Sequence, residues 1–240
     1  MNSASRLELD VDGRVGAWRW TPAVRCVLNG GWAGRDLNAV VAHVEEMRAL
    51  GVPAPQSVPI VFPVAPAMLT QGDRIDIYSP QSSGEVEYVL IATQHRVALT
   101  VGSDHTDRGV EATSIELSKR ICPNVVARTA WDYAEVAGHA DDLMLRAWVR
   151  EDGAWHAYQQ APLDALLAPA YWLERLAGRL SAHAAVVLFS GTVPTLKGTL
   201  RYGDGFRVSL EDPRTGRTIL HEYDVALVEN PLAPSAHAPL

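Results

Sequence analysis

The chain has 240 residues, of which 48% are hydrophobic and 20% are charged, the composition of an ordinary globular protein. Its 28 Asp and Glu residues outnumber 21 Lys and Arg residues, and the net charge of -7 argues against a nucleic acid or an anionic membrane as main partner. The start lacks a signal-peptide pattern, no apolar run approaches the roughly 20 residues that span a bilayer, and Cys26 and Cys122 have no metal-ligand spacing. These features predict a soluble, cytoplasmic protein.

The N-terminal part of the chain combines strand and helix signals. Residues 6–20 have alternating apolar positions on both sides of Asp12-Gly13, and this pattern predicts a β-hairpin. A buried strand is expected at 24–28. The apolar positions at 37–50 have helical spacing, and Asp36 before them is the predicted N-cap.

Strands dominate the rest of the sequence. Two helices are predicted there, at 109–120 and at 162–180, the second with Pro169 as a break within it. The predicted strands are 60–62, 74–78, 85–92, 96–101, 143–150, 184–189, 206–210 and 218–228. Many strands with few helices indicate a β-rich α+β fold.

Glu85 and Glu87 lie in the predicted strand 85–92. Alternate residues of a strand share one face, so the two side chains project together, about 7 Å apart at Cα. Two carboxylates on one face repel each other unless a positive charge lies between them. A hard divalent cation, which prefers oxygen ligands, would relieve this repulsion. The alternative is a solvent-facing strand edge with two ordinary glutamates.

The polar segment 102–108 follows the strand 96–101, at a position where loops often carry function. Asp104 is a natural third oxygen ligand. His105 is a further candidate ligand, although imidazole suits Zn²⁺ better than Mg²⁺. The alternative is a polar turn in which the Asp side chains accept backbone hydrogen bonds.

His43 and Glu46 are three residues apart in the helix predicted at 37–50, and such positions are neighbours on a helix surface. A carboxylate beside an imidazole can fix its tautomer and raise its basicity, as a general-base pair requires. The alternative is a solvated flank of the helix.

Eight short segments are each weakly informative, but the order in which they follow one another along the chain is more specific. They are Gly34-Arg35-Asp36, His43-Val44-Glu45-Glu46-Met47-Arg48, Pro59-Ile60-Val61-Phe62, Glu85-Val86-Glu87, Asp104-His105-Thr106-Asp107-Arg108, Lys119 with Cys122-Pro123, Gly191-Thr192, and Tyr202-Gly203-Asp204. Over residues 27–228 this order resembles the fumarylacetoacetate hydrolase superfamily, and most closely a bacterial subgroup without an assigned activity.

The resemblance implies metal-binding, catalytic and substrate-binding roles at the matching positions. Glu85, Glu87 and Asp104 would bind Mg²⁺ or Mn²⁺; His43 and Glu46 would activate water or move a proton, and Lys119 would stabilise developing negative charge; Arg35, Gln159 and Thr192 would bind substrate. The register leaves open whether Gln159 or its neighbour Gln160 faces the pocket.

The resemblance also implies an architecture and an activity. The expected fold is a β-rich, barrel-like core with a few flanking helices, assembled as a homodimer. The expected division is a β-hairpin extension at 1–26, a catalytic domain at 27–229 and a frayed tail at 230–240. The expected activity is metal-dependent hydrolysis of a C–C bond in a 2-oxo acid or 1,3-dicarbonyl, a small carboxylate substrate, through a metal-stabilised enolate.

Four departures from the family pattern concern the pocket. A family lysine is missing from the segment 62–66, Lys119 is unusually close to Cys122, Gly109 replaces an Asp, and Val193 replaces the proline of a Gly-Thr-Pro loop. Two alternatives to hydrolysis therefore stay open. One is a 2-oxo acid decarboxylase, isomerase or hydratase that uses the same metal, and the other is a non-catalytic ligand-binding protein.

Overall fold

The computed structural model describes residues 5–13, 16–49, 55 and 57–232, without the side chains of His43 and Met47. Strands dominate it. The strands are β1 Leu9–Asp12, β2 Trp18–Trp20, β3 Ala23–Gly31, β4 Ile60–Val64, β5 Leu69–Thr70, β6 Arg74–Ile77, β7 Ser82–Ser83, β8 Val86–Ala92, β9 Val97–Asp104, β10 Thr106–Asp107, β11 Asn124–Val126, β12 Thr129–Asp132, β13 Met144–Glu151, β14 Ala154–Pro162, β15 Ala184–Phe189, β16 Gly205–Asp212 and β17 Arg217–Leu227. The α-helices are α1 Leu37–Ala49, α2 Arg108–Glu111, α3 Ile115–Arg120, α4 Tyr133–Val136 and α5 Pro169–Leu176, and single 3₁₀ segments cover Pro66–Met68, Ala137–Asp142 and Leu163–Ala165.

The larger sheet is curled into a half-barrel and contains ten of the strands in the described residues. Its order is β2-β1-β12-β9-β8-β15-β3-β4, with β11 and β5 attached beside β9. Every residue of β8 is buried because both faces of this strand are covered. A strand that is buried on both faces has a continuous apolar sequence, as residues 88–92 do.

The second sheet has five strands in the order β14-β13-β16-β17-β6. Its inner face supplies Leu145, Val149, Phe206 and Tyr223 to a core that also contains Tyr88 and other residues from one face of β8 and β9. A smaller core lies on the opposite face of the larger sheet and contains Val89, Ile91 and Phe189. The β-rich mixed fold predicted from the sequence is confirmed.

The predicted N-terminal hairpin is present as β1 and β2, which pair antiparallel with Leu9 opposite Trp20. Strand β1 also pairs in parallel with β12, so the hairpin continues the larger sheet. The division into an extension at 1–26 and a domain at 27–229 stays a prediction. Most of the tail predicted at 230–240 lies outside the described residues, which end at Leu232.

Two helix predictions are wrong in extent. The segment 109–120 forms two short helices, α2 and α3, because Ser114 is extended (φ −156°, ψ 103°) and caps the second of them. Within 162–180 the α-helix covers only Pro169–Leu176, because Pro162 ends strand β14 and a short 3₁₀ turn at Leu163–Ala165 comes before an irregular stretch. None of the helices in the described part of the chain has the length and hydrophobicity needed to cross a membrane.

Candidate metal centre

Three carboxylates meet at the junction of two central strands. Glu87 is in β8, Glu85 directly precedes that strand, and Asp104 ends β9. The backbone N–H of Asp104 donates to the carbonyl of Glu85 at 3.1 Å, so the strands remain adjacent at this point. One oxygen of each carboxylate lies within 4.8 Å of the others, and all three residues are buried. The structure therefore brings together the three metal ligands that the sequence predicted.

A glycine allows the strands to approach each other beside this acidic triad (Glu85, Glu87 and Asp104). A Cβ atom at Gly102, in β9, would lie 2.5 Å from the Val125 carbonyl oxygen and 2.7 Å from the Phe189 ring. Real Cβ contacts are not that short, so a larger residue would force β9 and β11 apart. The absence of a side chain at Gly102 thus allows β11 and Phe189 to pack closely against β9 beside the triad.

Two cations contact the triad. The ammonium of Lys119, in α3, donates to Asp104 Oδ2 at 2.6 Å and to Glu85 Oε2 at 2.9 Å. The guanidinium of Arg108 donates to Glu85 Oε1 at 2.9 Å and to Glu111 at 2.8 Å. Both Glu85 oxygens and one Asp104 oxygen thus have a charged donor.

Glu87 is different, because one of its oxygens has no partner. Its Oε2 accepts a hydrogen bond from the backbone N–H of Gly191 at 2.8 Å. Its Oε1 is buried and has no hydrogen-bond partner in the described residues. An unpaired buried carboxylate oxygen costs free energy, and a cation bound at Oε1 would offset that cost.

The pKa values of the triad reflect burial and the two cations. Burial and the charge of Asp104 raise the pKa of Glu87 well above its ordinary value. Burial likewise raises the pKa of Asp104 to about 6, against the attraction of Lys119. Burial acts in the same direction on Glu85, but the charges of Lys119 and Arg108 outweigh it and lower that pKa to about 2. Glu85 is therefore ionised, and Glu87 is the member of the triad whose ionised form a bound cation would stabilise most.

The four carboxylates and two basic side chains of this cluster have a net charge that one divalent cation can balance. With its carboxylates ionised, the cluster carries four negative charges, from the triad and Glu111, and two positive charges, from Lys119 and Arg108. The sum is −2, which one divalent cation would neutralise. All-oxygen ligands are those that Mg²⁺ and Mn²⁺ prefer. The residues present thus fit the metal that the sequence predicted.

The three predicted substrate-binding residues are engaged within the protein. Arg35 donates two hydrogen bonds to Asp141, at 2.7 and 2.8 Å, and one to the Leu166 carbonyl. The Gln159 side chain accepts from the Val86 backbone N–H and donates to Thr192 Oγ1 at 2.9 Å. Thr192 Oγ1 in turn donates to the Val86 carbonyl. Gln159 and Thr192 thus fasten the loop after β15 to β8 between the two glutamates, and their substrate roles stay predictions.

The predicted catalytic pair is on α1. Glu46 is exposed there, and the side chain of His43 lies outside the described part of the structure, so the pairing stays a prediction. His105, a candidate ligand from the sequence, instead contacts Tyr223 Oη at 3.2 Å and Ser82 Oγ at 2.9 Å. Burial and the charge of Arg108 lower its pKa to about 3, so the imidazole is neutral.

Three residues of the site received no role from the sequence. Arg108 belongs to the segment 104–108 that carries the family resemblance, and its position four residues after Asp104 was the sequence feature that placed it near the triad. Asn29 and Asn124 are both fully buried, and Asn124 Nδ2 contacts Asn29 Oδ1 at 3.0 Å and Asp104 Oδ1 at 3.4 Å. Asn29 directly follows the strand expected at 24–28, and its contact with Asn124 depends on the curl of the sheet.

Comparisons with known proteins place this chain in a family. A family model described as "Protein of unknown function (DUF2848)" matches residues 30–223, most of the chain. The chain belongs to the DUF2848 family. No curated protein sequence matches this DUF2848 member.

Solved structures give the fold of this DUF2848 chain. A 2-keto-3-deoxy-D-arabinonate dehydratase complexed with magnesium and 2,5-dioxopentanoate has a TM-score of 0.61 and 15% identity, over 88% of this chain and 77% of that one. A fumarylacetoacetate hydrolase from Exiguobacterium antarcticum has a TM-score of 0.58 and 16% identity, over 88% and 82%. A 4-oxalocrotonate decarboxylase from Pseudomonas putida G7, complexed with calcium and acetate, has 0.52 and 13%, over 84% and 76%. The resemblance to the fumarylacetoacetate hydrolase superfamily is thereby confirmed at the level of the fold.

Proposed function

We propose that this chain is a divalent-metal-dependent hydrolase that cleaves a C–C bond in a small 2-oxo acid or 1,3-dicarbonyl. The observation that carries the proposal is the buried acidic triad, in which Glu87 Oε1 has no hydrogen-bond partner among the described residues. A bound Mg²⁺ or Mn²⁺ ion would supply Lewis-acid chemistry toward the oxo and carboxylate oxygens of a substrate. Glu85, Glu87 and Asp104 would hold that ion.

The residues around the triad have separate tasks in this proposal. Lys119 is an ammonium at neutral pH, because its carboxylate neighbours outweigh the effect of burial and raise its pKa. It would therefore stabilise negative charge on the substrate and not accept a proton. His43, oriented by Glu46, would take a proton from water, whose oxygen then bonds to the carbonyl carbon. The proton would go to the carbon released by C–C cleavage.

A lyase is the second candidate, because the solved structures with this fold include lyases as well as a hydrolase. Two solved relatives with this fold are a dehydratase and a decarboxylase. The first was solved with magnesium and 2,5-dioxopentanoate and the second with calcium and acetate. Hydrolysis, unlike elimination of water or loss of CO₂, consumes a water molecule that a base must activate. The choice of hydrolysis thus depends on His43 and Glu46.

A substrate screen separates these candidates. Metal-loaded protein would be incubated with acylpyruvates and with hydroxylated or unsaturated 2-oxo acids, with detection of cleavage products, CO₂ and dehydration products. Hydrolysis that His43→Ala abolishes and the exposed control His95→Ala retains would support the proposal. CO₂ or dehydration products that persist in His43→Ala would favour a lyase, and ligand binding without turnover would favour a binding protein.

The assembly and location implied by the family remain predictions. The homodimer is checked by size-exclusion chromatography with light scattering, where a mass near twice the chain's 26.1 kDa is expected. The mass of a single chain would contradict it. The cytoplasmic location is checked by fractionation of the source cells.

A further inference from the structure

Two asparagines form a buried amide pair beside the acidic triad. Asn29 is in β3 and Asn124 is in β11, on different sides of the β8–β15 centre of the sheet. Asn124 is paired directly with Asp104 across β11 and β9, which places the two side chains on the same face. Both asparagines are 0% exposed. The pair is thus a neighbour of the third carboxylate and not a surface feature.

The hydrogen bonds fix the orientation of this pair. Asn124 Nδ2 donates to Asn29 Oδ1 at 3.0 Å and lies 3.4 Å from Asp104 Oδ1. If the Asn124 amide were turned round, its oxygen would face the oxygens of both neighbours. The Asn124 amide therefore has one favourable orientation, in which its N–H groups face Asn29 and Asp104.

The pair is costly to the fold. Asn29 Nδ2 and Asn124 Oδ1 are buried and have no partner in the described residues. Two apolar side chains of similar size would leave no such atoms, and replacement of both partners of a buried hydrogen bond can be neutral or stabilising. Stability alone therefore gives no reason for two amides at these positions.

We propose that Asn29 and Asn124 are positioning residues for the metal ligand Asp104, an inference that rests on the proposed function. Lys119 holds Asp104 Oδ2 at 2.6 Å, and Asn124 restrains Asp104 Oδ1 from the other side. Two donors, one on each oxygen, fix the plane of the carboxylate. The contact of Asn124 is long, so Oδ1 keeps its capacity to bind a cation. Asn29 prevents the Asn124 amide from rotating.

This role predicts an effect on metal selectivity. Mg²⁺ requires nearly ideal octahedral geometry, whereas Ca²⁺ tolerates flexible ligands. A carboxylate that loses its orienting partner should therefore bind Mg²⁺ much more weakly and Ca²⁺ only slightly more weakly. Replacement of groups that orient metal ligands typically costs about 10–100-fold in affinity. A purely structural pair would change neither affinity.

The test compares wild type with the double variant Asn29→Val, Asn124→Val, since valine is close in size and suits strands. Mg²⁺ and Ca²⁺ affinities would be measured by calorimetry on metal-stripped protein, and the melting temperature in EDTA. The matched control is Thr100→Val, which removes a buried hydrogen bond to the Thr129 carbonyl from the same strand β9. We expect an unchanged or raised melting temperature and at least tenfold weaker Mg²⁺ binding in the double variant. The control should melt earlier and bind Mg²⁺ as wild type does.

The outcomes distinguish this inference from the proposed function. A wild type that binds no divalent cation overturns both. A wild type that binds Mg²⁺, with a double variant that binds it within twofold as tightly, overturns the positioning role alone. If the double variant does not fold, Asn29→Ala decides, because it removes only the group that holds Asn124. Unchanged Mg²⁺ and Ca²⁺ affinities in Asn29→Ala would then overturn the inference.

Discussion

Lys119 is the residue on which the charge balance of the triad depends. Its ammonium bonds to one oxygen of Asp104 and one of Glu85, and its side chain is only 7% exposed. Removal of one member of a buried ion pair leaves the other charge without compensation, which costs far more than the loss of a surface pair.

Lys119→Met should therefore destabilise the metal-free protein by about 3–5 kcal/mol. Saturating Mg²⁺ should recover more stability in this variant than in wild type, because the cation replaces the lost positive charge. Thermal unfolding in EDTA and in Mg²⁺ measures both effects. Lys197→Met is the control, since Lys197 is exposed. Equal stability of Lys119→Met and wild type in EDTA would contradict the prediction.

The sequence predicted the triad because strand alternation places Glu85 and Glu87 on one face and because Asp104 belongs to a family motif. It did not predict the engaged state of Arg35, whose partner Asp141 is 106 positions away in the chain. It also missed the pair of Asn29 and Asn124. Contacts between segments so far apart depend on how the sheet curls, which local patterns do not encode.

Helix α3 contains Lys119 and positions its side chain against the triad. It has only six residues, and the hydroxyl of Ser114 caps it by accepting from the Leu117 backbone N–H at 3.2 Å. The predicted helix 109–120 overlooked this cap. Serine also occurs inside helices, so the presence of Ser114 in the sequence does not by itself show that one helix ends and another begins there.

Loss of this cap should weaken α3. Ser114→Ala leaves the Leu117 N–H without its partner, and typical caps contribute about 1 kcal/mol. We expect the free energy of unfolding in urea to fall by about that amount, while Ser114→Asp, which retains an acceptor oxygen, stays close to wild type. A Ser114→Ala variant as stable as wild type would show that α3 does not depend on the cap.

Strand β14 was not among the strands predicted from the sequence. Its burial pattern is irregular, and a register shift between Ala147 and Trp148 interrupts its pairing with β13. A bulge breaks the two-residue alternation by which strands are recognised. The regular alternation of β13, by contrast, made that strand predictable.

At the scale of the whole molecule, the ten-stranded and the five-stranded sheets share the larger core. A half-buried histidine in the five-stranded sheet links the stability of the fold to pH. His221 Nε2 lies 3.1 Å from the Gly72 carbonyl oxygen. Burial lowers the pKa of His221, despite the opposing effect of this hydrogen bond. The folded protein therefore favours the neutral ring more than the unfolded chain does.

The sign of the pH effect follows from that lowered pKa. His221 contributes stability above the unfolded value of about 6.5, and this contribution is lost as pH falls through that value toward the folded pKa. Melting temperatures between pH 8 and pH 5 should fall less steeply for His221→Gln than for wild type. The exposed His183→Gln is the matched control, and His105 contributes to all three proteins. Parallel curves for wild type and His221→Gln would contradict the prediction.

At the scale of the whole fold, the sequence was sufficient for the fold class and for the resemblance in architecture, because many strand patterns and an ordered set of motifs indicated the same fold. The order of strands within the sheets was not predictable in this way. Strand β15, for example, lies between β8 and β3, although 91 residues separate Ala92 from Ala184. Such pairings are long-range, and only the complete packing of both cores selects them.

The measurement that tests the account most directly is calorimetric titration of metal-stripped protein with Mg²⁺, for wild type, Glu87→Gln and the control Glu116→Gln, which changes an exposed glutamate outside the charge cluster. Glutamine keeps the shape of Glu87 and removes its charge, and the raised pKa of Glu87 indicates that the metal-free fold accepts a neutral group there. We expect one ion per chain in wild type and in the control, and at least a hundredfold loss of affinity in Glu87→Gln with little change in melting temperature. A wild type that binds no ion, or a Glu87→Gln variant that binds it equally well, would contradict the metal centre.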